Sequence, residues 1–219
     1  MRYSGEVAVG GPSDQRDLAL LSIRKACVSA MANNVYLLTC RRSGKQLLID
    51  AADDPRRILA LVDEGTGGLD TILTTHQHWD HHRALVPIAE STKAVTAAGD
   101  ADADALPVMP HRRLGHGDSL TFGDITLGVI QLRGHTPGSV ALAYNDPHGL
   151  AHIWTGDSLF PGGPGRTNSE QDFTALMNDL EERIFRTFGD DTWIYPGHGA
   201  DTTLGAERPH LKEWRERGW

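Results

Sequence analysis

The chain has 219 residues, 39% of them hydrophobic and 23% charged, with a formal net charge of −8. That length supports one sizeable core, so residues 1–219 are expected to form a single domain, and an acidic chain with no basic stripe is not expected to bind a nucleic-acid backbone. No apolar run is long enough to span a bilayer and the N-terminus lacks a signal-type apolar stretch, so membrane attachment is not expected and the whole chain is taken as the mature protein.

In chain order, residues 18–28 supply a first strand. Residues 35–40 and 46–50 are apolar, strand-length runs around the polar turn 41–44 and read as a hairpin. Cys27 and Cys40 lie in these apolar segments; two cysteines make no disulfide framework, and reduced, buried thiols imply a cytoplasmic setting. Asp54-Pro55 starts a helix, with Asp as the cap and Pro in the first turn, and Ile58, Leu59, Leu61 and Val62 form its apolar face. Residues 69–75 predict a buried strand, 82–90 a helix and 94–97 a short strand. The middle turns β-rich, with strands at 119–122, 125–132, 139–144 and 151–155. Pro161-Gly162-Gly163-Pro164-Gly165 reads as a loop. A helix over 173–187, a strand over 192–195 and a charged helix over 206–217 complete the chain. β-rich halves that each carry helices predict two packed sheets covered by helices.

The segment Thr74-Thr75-His76-Gln77-His78-Trp79-Asp80-His81-His82 follows the strand at 69–75 directly. Alternate residues of an extended segment point the same way, so His76 and His78 can share one ion. Asp80 and His81, a turn further on, can face a second point nearby. Imidazole and carboxylate suit Zn²⁺, Fe²⁺ or Mn²⁺. The bland alternative is a histidine-rich surface tract, which an acid interleaved after an apolar strand makes hard to reach by chance.

Four ligands cannot fill two sites, so others are expected at further strand ends. His135 stands in Arg133-Gly134-His135-Thr136-Pro137-Gly138-Ser139, between two predicted strands. Asp157 follows the strand at 151–155, and His198 lies in Pro196-Gly197-His198-Gly199 after the strand at 192–195. Each adjoins glycine, where backbone can crowd an ion. Taken singly, each also reads as an ordinary turn residue.

Those motifs, in that order, resemble the signature of metallo-β-lactamase-fold hydrolases and are most similar to glyoxalase II. The resemblance runs from about residue 34 to residue 199. It implies an α/β fold, a four-layer αββα sandwich with the site at one edge of the sheets. It further implies two divalent metal ions, zinc first, with iron or manganese as alternatives. His76, His78 and His135 would hold one metal, Asp80, His81 and His198 the other, and Asp157 would bridge them. The chain departs from the family pattern in carrying His82-Arg83-Ala84-Leu85 where a Gly-Gly run is familiar. Only 21 residues follow His198, too few for the C-terminal helical domain of long glyoxalase II enzymes. An Asp rather than a Cys at position 157 argues against the common antibiotic-hydrolysing branch.

The activity so implied is hydrolysis of a small-molecule substrate, a thioester, by a hydroxide bridging two metal ions, with Asp80 both ligand and orienter of the hydroxide. Two alternatives share the motifs: a mononuclear-iron oxidoreductase resembling persulfide dioxygenases, which also carry Gly-Arg-Thr after the Asp, and a lactonase or other ester hydrolase. Asp50 either fixes the tautomer of a ligand imidazole or is a plain turn Asp. Arg166 either grips an anionic end of the substrate or forms a structural ion pair. His82 is read as solvent-facing and Trp79 as packed beside the site. His111, His116, His148, His152 and His210 have no ligand context.

Overall fold

The computed structural model describes residues 3–218. Strands β1 (Asp14–Asp17), β2 (Leu21–Val28), β3 (Asn33–Cys40), β4 (Gln46–Ile49), β5 (Leu69–Thr74), β6 (Val95–Gly99) and β7 (Arg112–Leu114) form one sheet in sequence order. The first four pair antiparallel, and β4 to β7 run parallel. Parallel neighbours need crossovers, and helices α1 (Pro55–Glu64) and α2 (Leu85–Thr92) supply two of them. The second sheet is ordered β15-β14-β11-β10-β9-β8, from β8 (Ser119–Phe122), β9 (Ile125–Gln131), β10 (Val140–Asn145), β11 (Ala151–Gly156), β14 (Trp193–Pro196) and β15 (Thr202–Thr203). Helix α3 (Glu170–Leu180) lies between β11 and β14 in the chain, and α4 (Leu204–Glu207) and α5 (Leu211–Arg217) follow β15.

Three apolar clusters define four layers. Leu21, Ile23, Tyr36 and Leu38 of the first sheet meet Leu127, Val129, Leu142 and Trp154 of the second. The alternate residues Val35, Leu37 and Leu48 face the other way and pack with Ile58 and Leu61 of α1 and Leu85 and Ile88 of α2. Ala141, Ile153 and Ile194 likewise pack outward onto Leu176 and Leu180 of α3 and Trp214 of α5. Strands buried on both faces explain why β3 and β4 read as continuous apolar runs rather than alternating ones. The architecture is the αββα sandwich expected from the sequence. No helix among the described residues is long and apolar enough to cross a membrane.

Local differences have local causes. The helix expected from residue 82 begins at Leu85, because His82 closes the preceding 3-10 turn with φ −143°, outside the helical range. The Pro-Gly run at 161–165 is partly ordered as a miniature hairpin of β12 (Leu159–Phe160) with β13 (Gly163–Pro164). The helix expected over 173–187 widens after Leu180 and continues as a π-helical turn over Glu181–Phe185, where Arg186 N–H reaches back to the Glu181 carbonyl. The terminal helix is broken by a 3-10 turn at Arg208–His210, where Pro209 supplies no N–H. Strands β1, β7 and β15 are short and partly exposed, so their residues carry little apolar signal.

Candidate metal centre

One edge of the sandwich collects ends from both sheets. The chain leaves β5 at Thr74 into the histidine segment, whose Trp79–His81 stretch is a 3-10 turn. From the second sheet come the β9–β10 turn with His135, the end of β11 with Asp157 and the end of β14 with His198. Backbone hydrogen bonds stitch the sheets together here: Val140 N–H donates to Thr75 O at 3.0 Å and Asn34 N–H to Gly197 O at 2.7 Å.

The structure brings together His76, His78, Asp80, His81, His135, Asp157 and His198. Their ligand atoms form three overlapping groups: His76, His78 and His135; His76, His81 and Asp157; and Asp80, His81 and His198, each within 4.8 Å. His78 Nδ1 lies 2.9 Å from His135 Nε2, and His81 Nε2 lies 3.2 Å from His198 Nε2. Asp80 Oδ2 is 3.5 Å from His81 Nε2 and 3.4 Å from His198 Nε2. Asp157 reaches both sides, with Oδ1 at 3.4 Å from His81 Nε2 and Oδ2 at 3.8 Å from His135 Nε2. Tetrahedral Zn–N bonds of about 2.0–2.1 Å place ligand atoms roughly 3.3 Å apart, which is the spacing found here. His76 Nε2 and Asp157 Oδ1 are buried and have no hydrogen-bond partner, a costly state for polar atoms that a cation would relieve. The residues present therefore fit divalent metal ions.

Hydrogen bonding fixes which nitrogen faces the centre. Nδ1–H of His81 donates to Asp50 Oδ2 at 2.8 Å, that of His135 to Arg166 O at 2.7 Å, and that of His198 to Met31 O at 3.0 Å. Thr75 Oγ1 donates to Asp50 Oδ2 at 2.8 Å and so accepts from His76 Nδ1 at 3.0 Å. All four rings thus turn Nε2 inward with its lone pair available. Burial, reinforced by His81, holds His76 well below the usual imidazole range, and burial likewise lowers His135. Burial opposes protonation of His81 too, but the Asp50 and Asp157 carboxylates overcome it and raise that ring to about 10. An environment that holds a proton so firmly equally attracts a cation, and the two compete for one lone pair. Burial would raise Asp157, yet His198 and His81 keep it far below the ordinary carboxylate range.

The other residues singled out in the sequence lie outside these groups. The Arg166 side chain is exposed and lines a cavity of about 420 Å³ with Phe173 and Arg217, while its carbonyl is the group that meets His135. Trp79, expected to pack beside the site, is 56% exposed, with the Arg83 guanidinium 3.6 Å from its ring centroid. His82 is half-buried, its Nε2 3.0 Å from Gln77 O. His111, His152 and His210 pair with Thr96, Tyr195 and Glu213, outside the metal-capable groups. Sequence reasoning missed Asn33, whose Nδ2 donates to Asp80 Oδ2 at 2.9 Å, and Thr75, Asp102 and Lys25. The available signal for the first was a pair of asparagines opening an otherwise apolar strand.

The family model described as the metallo-beta-lactamase superfamily matches residues 28–198. The cytoplasmic isozyme of hydroxyacylglutathione hydrolase from Saccharomyces cerevisiae is 30% identical over 189 residues, 81% of this chain and 67% of that protein. The mitochondrial persulfide dioxygenase ETHE1 of Homo sapiens is 34% identical over 171 residues, 74% of this chain and 62% of that protein. Among solved structures, TTHA1623 in a di-iron-bound form is similar with a TM-score of 0.69 and 32% identity, over 84% of this chain and 96% of that one. The chain spans about half to two thirds of the length of the first curated relatives it matches.

Proposed function

We propose, on the premise that this chain belongs to the metallo-beta-lactamase superfamily, that it is a two-metal hydrolase cleaving a thioester of a small, anionic thiol. The observation that carries this reading is the convergence of seven His and Asp side chains into groups that share His81 and His76, with Asp157 reaching both sides. In this reading His76, His78 and His135 would hold one ion and Asp80, His81 and His198 the other, with Asp157 placed to serve either. Two divalent cations so placed bring the pKa of bound water toward neutrality and polarise a carbonyl oxygen. The chain supplies the rest. Asn33 anchors Asp80 through Oδ2, and although burial pushes this carboxyl upward, Asn33 and His81 keep it ionised below its usual range. Asp80 can therefore accept a hydrogen bond from the attacking water and set its direction. Asp50 orients His81 and, through Thr75, His76. The exposed Arg166 guanidinium offers a bidentate partner to a carboxylate on the thiol carrier.

A second reading has its own support. The similarity to persulfide dioxygenase ETHE1 extends over 74% of this chain, and Gly165-Arg166-Thr167 follows Asp157. Metal analysis of the purified protein, paired with two assays, separates them. Two ions per chain with turnover of a hydroxyacyl thioester of glutathione is the expected result. One iron per chain with persulfide-dependent oxygen uptake, and no thioester turnover, would overturn the hydrolase reading.

A further inference from the structure

Asp102 belongs to none of the groups able to hold a metal, yet it touches the loops that carry them. It lies in the 3-10 turn Asp100–Ala105 that follows β6, and it is fully buried. Its Oδ2 accepts from the backbone N–H of Gln77 at 2.9 Å and from Thr136 Oγ1 at 2.6 Å, and its Oδ1 accepts from Gly138 N–H at 2.7 Å. Gln77 sits between His76 and His78, while Thr136 follows His135 directly and Gly138 stands two residues further on. The three donors are uncharged, so this buried carboxylate depends on all of them for its solvation. The contact is also close-packed. A Cβ on Gly138 would overlap the Asp102 backbone nitrogen, and one on Gly99 would overlap the Gly138 carbonyl oxygen.

The consequence concerns which parts are joined. The His76–His78 segment leaves the first sheet and the His135 turn belongs to the second, and across the gap His78 Nδ1 and His135 Nε2 stand 2.9 Å apart. We infer that Asp102 is a positioning residue that brackets the His76–His78 loop against the His135 turn and so sets the affinity of the three-imidazole metal position, independently of the position formed by Asp80, His81 and His198. The inference rests on the two-metal reading above. An amide at position 102 cannot accept along both edges, so D102N orphans at least one N–H and loosens one loop relative to the other.

The test is zinc titration of the full-length protein against a chromophoric chelator, with H135Q used to identify which binding step belongs to the three-histidine position. D102N is expected to weaken that step about 10–100-fold, the range for residues that orient metal ligands, and to leave the other step within about twofold. Equal weakening of both steps, or of neither, would overturn the bracket. Should D102N not fold, T136V removes one donor and is expected to weaken the same step, with T136S, which keeps the hydroxyl, behaving as wild type. T136V indistinguishable from wild type would count against the inference. A wild type that takes up one ion would sink the two-metal reading instead, and the bracket would then be judged by whether T136V and D102N loosen that ion.

Discussion

The histidines of this protein divide by what their Nδ1 atom meets. In His81, His135 and His198 it donates to a carboxylate or carbonyl oxygen, which leaves Nε2 for the centre. His152 is the contrasting case. It is 1% exposed, its Nδ1 accepts from Tyr195 Oη at 2.9 Å, and Tyr195 Oη in turn accepts from Arg16. Burial, with the nearby Arg16 charge adding to it, lowers its pKa to about 4. The neutral ring is the form the fold prefers, so stability is complete above about pH 6.5 and falls as the pH drops toward 4. The full span corresponds to roughly 3 kcal/mol. In metal-free protein, H152Q is predicted to lose about 2 kcal/mol less than wild type between pH 7 and pH 5 by urea unfolding. Parallel losses in the two proteins would rule out His152 as the source.

At the scale of elements, the site is a collection of strand ends and the turns that follow them. The packing of those turns is tight enough that glycine is needed where they cross, as at Gly138 and again at Gly165. A Cβ on Gly165 would overlap the Asp157 carbonyl oxygen and stand 3.4 Å from His135 Nδ1, pushing away the Arg166 carbonyl that orients that ring. We predict that Gly165→Ala destabilises by about 1–3 kcal/mol and weakens metal binding, whereas Gly68→Ala, which meets nothing within 4 Å, changes stability by less than about 0.5 kcal/mol. Equal stability of the two variants in urea would refute the crowding argument. The elements most legible in the sequence were those with a double signal. The hairpin of β3 and β4 had two apolar runs around a polar turn, and α1 had both a cap and an apolar face; Asp54 Oδ1 does accept from Arg57 N–H at 3.2 Å. The start of α2 was not legible, because His82 ends the 3-10 turn of the histidine segment with a backbone outside the helical range.

At the scale of the whole molecule, the proposed ligands come from both sheets, so bound ions would act as cross-links between the halves of the sandwich. A ligand present at 100 times its dissociation constant stabilises the folded state by about 2.7 kcal/mol, and for a chain of this size each kcal/mol moves Tm by about 2–4 °C. Excess zinc is therefore predicted to raise Tm by roughly 5–10 °C over chelated protein. Melting curves that coincide within about 1 °C would show that the ions do not join the sheets.

What the sequence determined by itself was periodic or clustered: the apolar runs that become doubly buried strands, the amphipathic face of α1, and a histidine segment too dense to overlook. Hydrophobic burial and ligand chemistry act through residue type and spacing, and both are written along the chain. Tertiary structure alone decided the rest. That Asn33 would reach Asp80, that Asp102 would link Gln77 to Gly138, and that the Arg166 carbonyl rather than its guanidinium would meet His135 all depend on contacts between distant segments. A polar side chain carries no mark of its partner until folding has removed the water that would otherwise satisfy it.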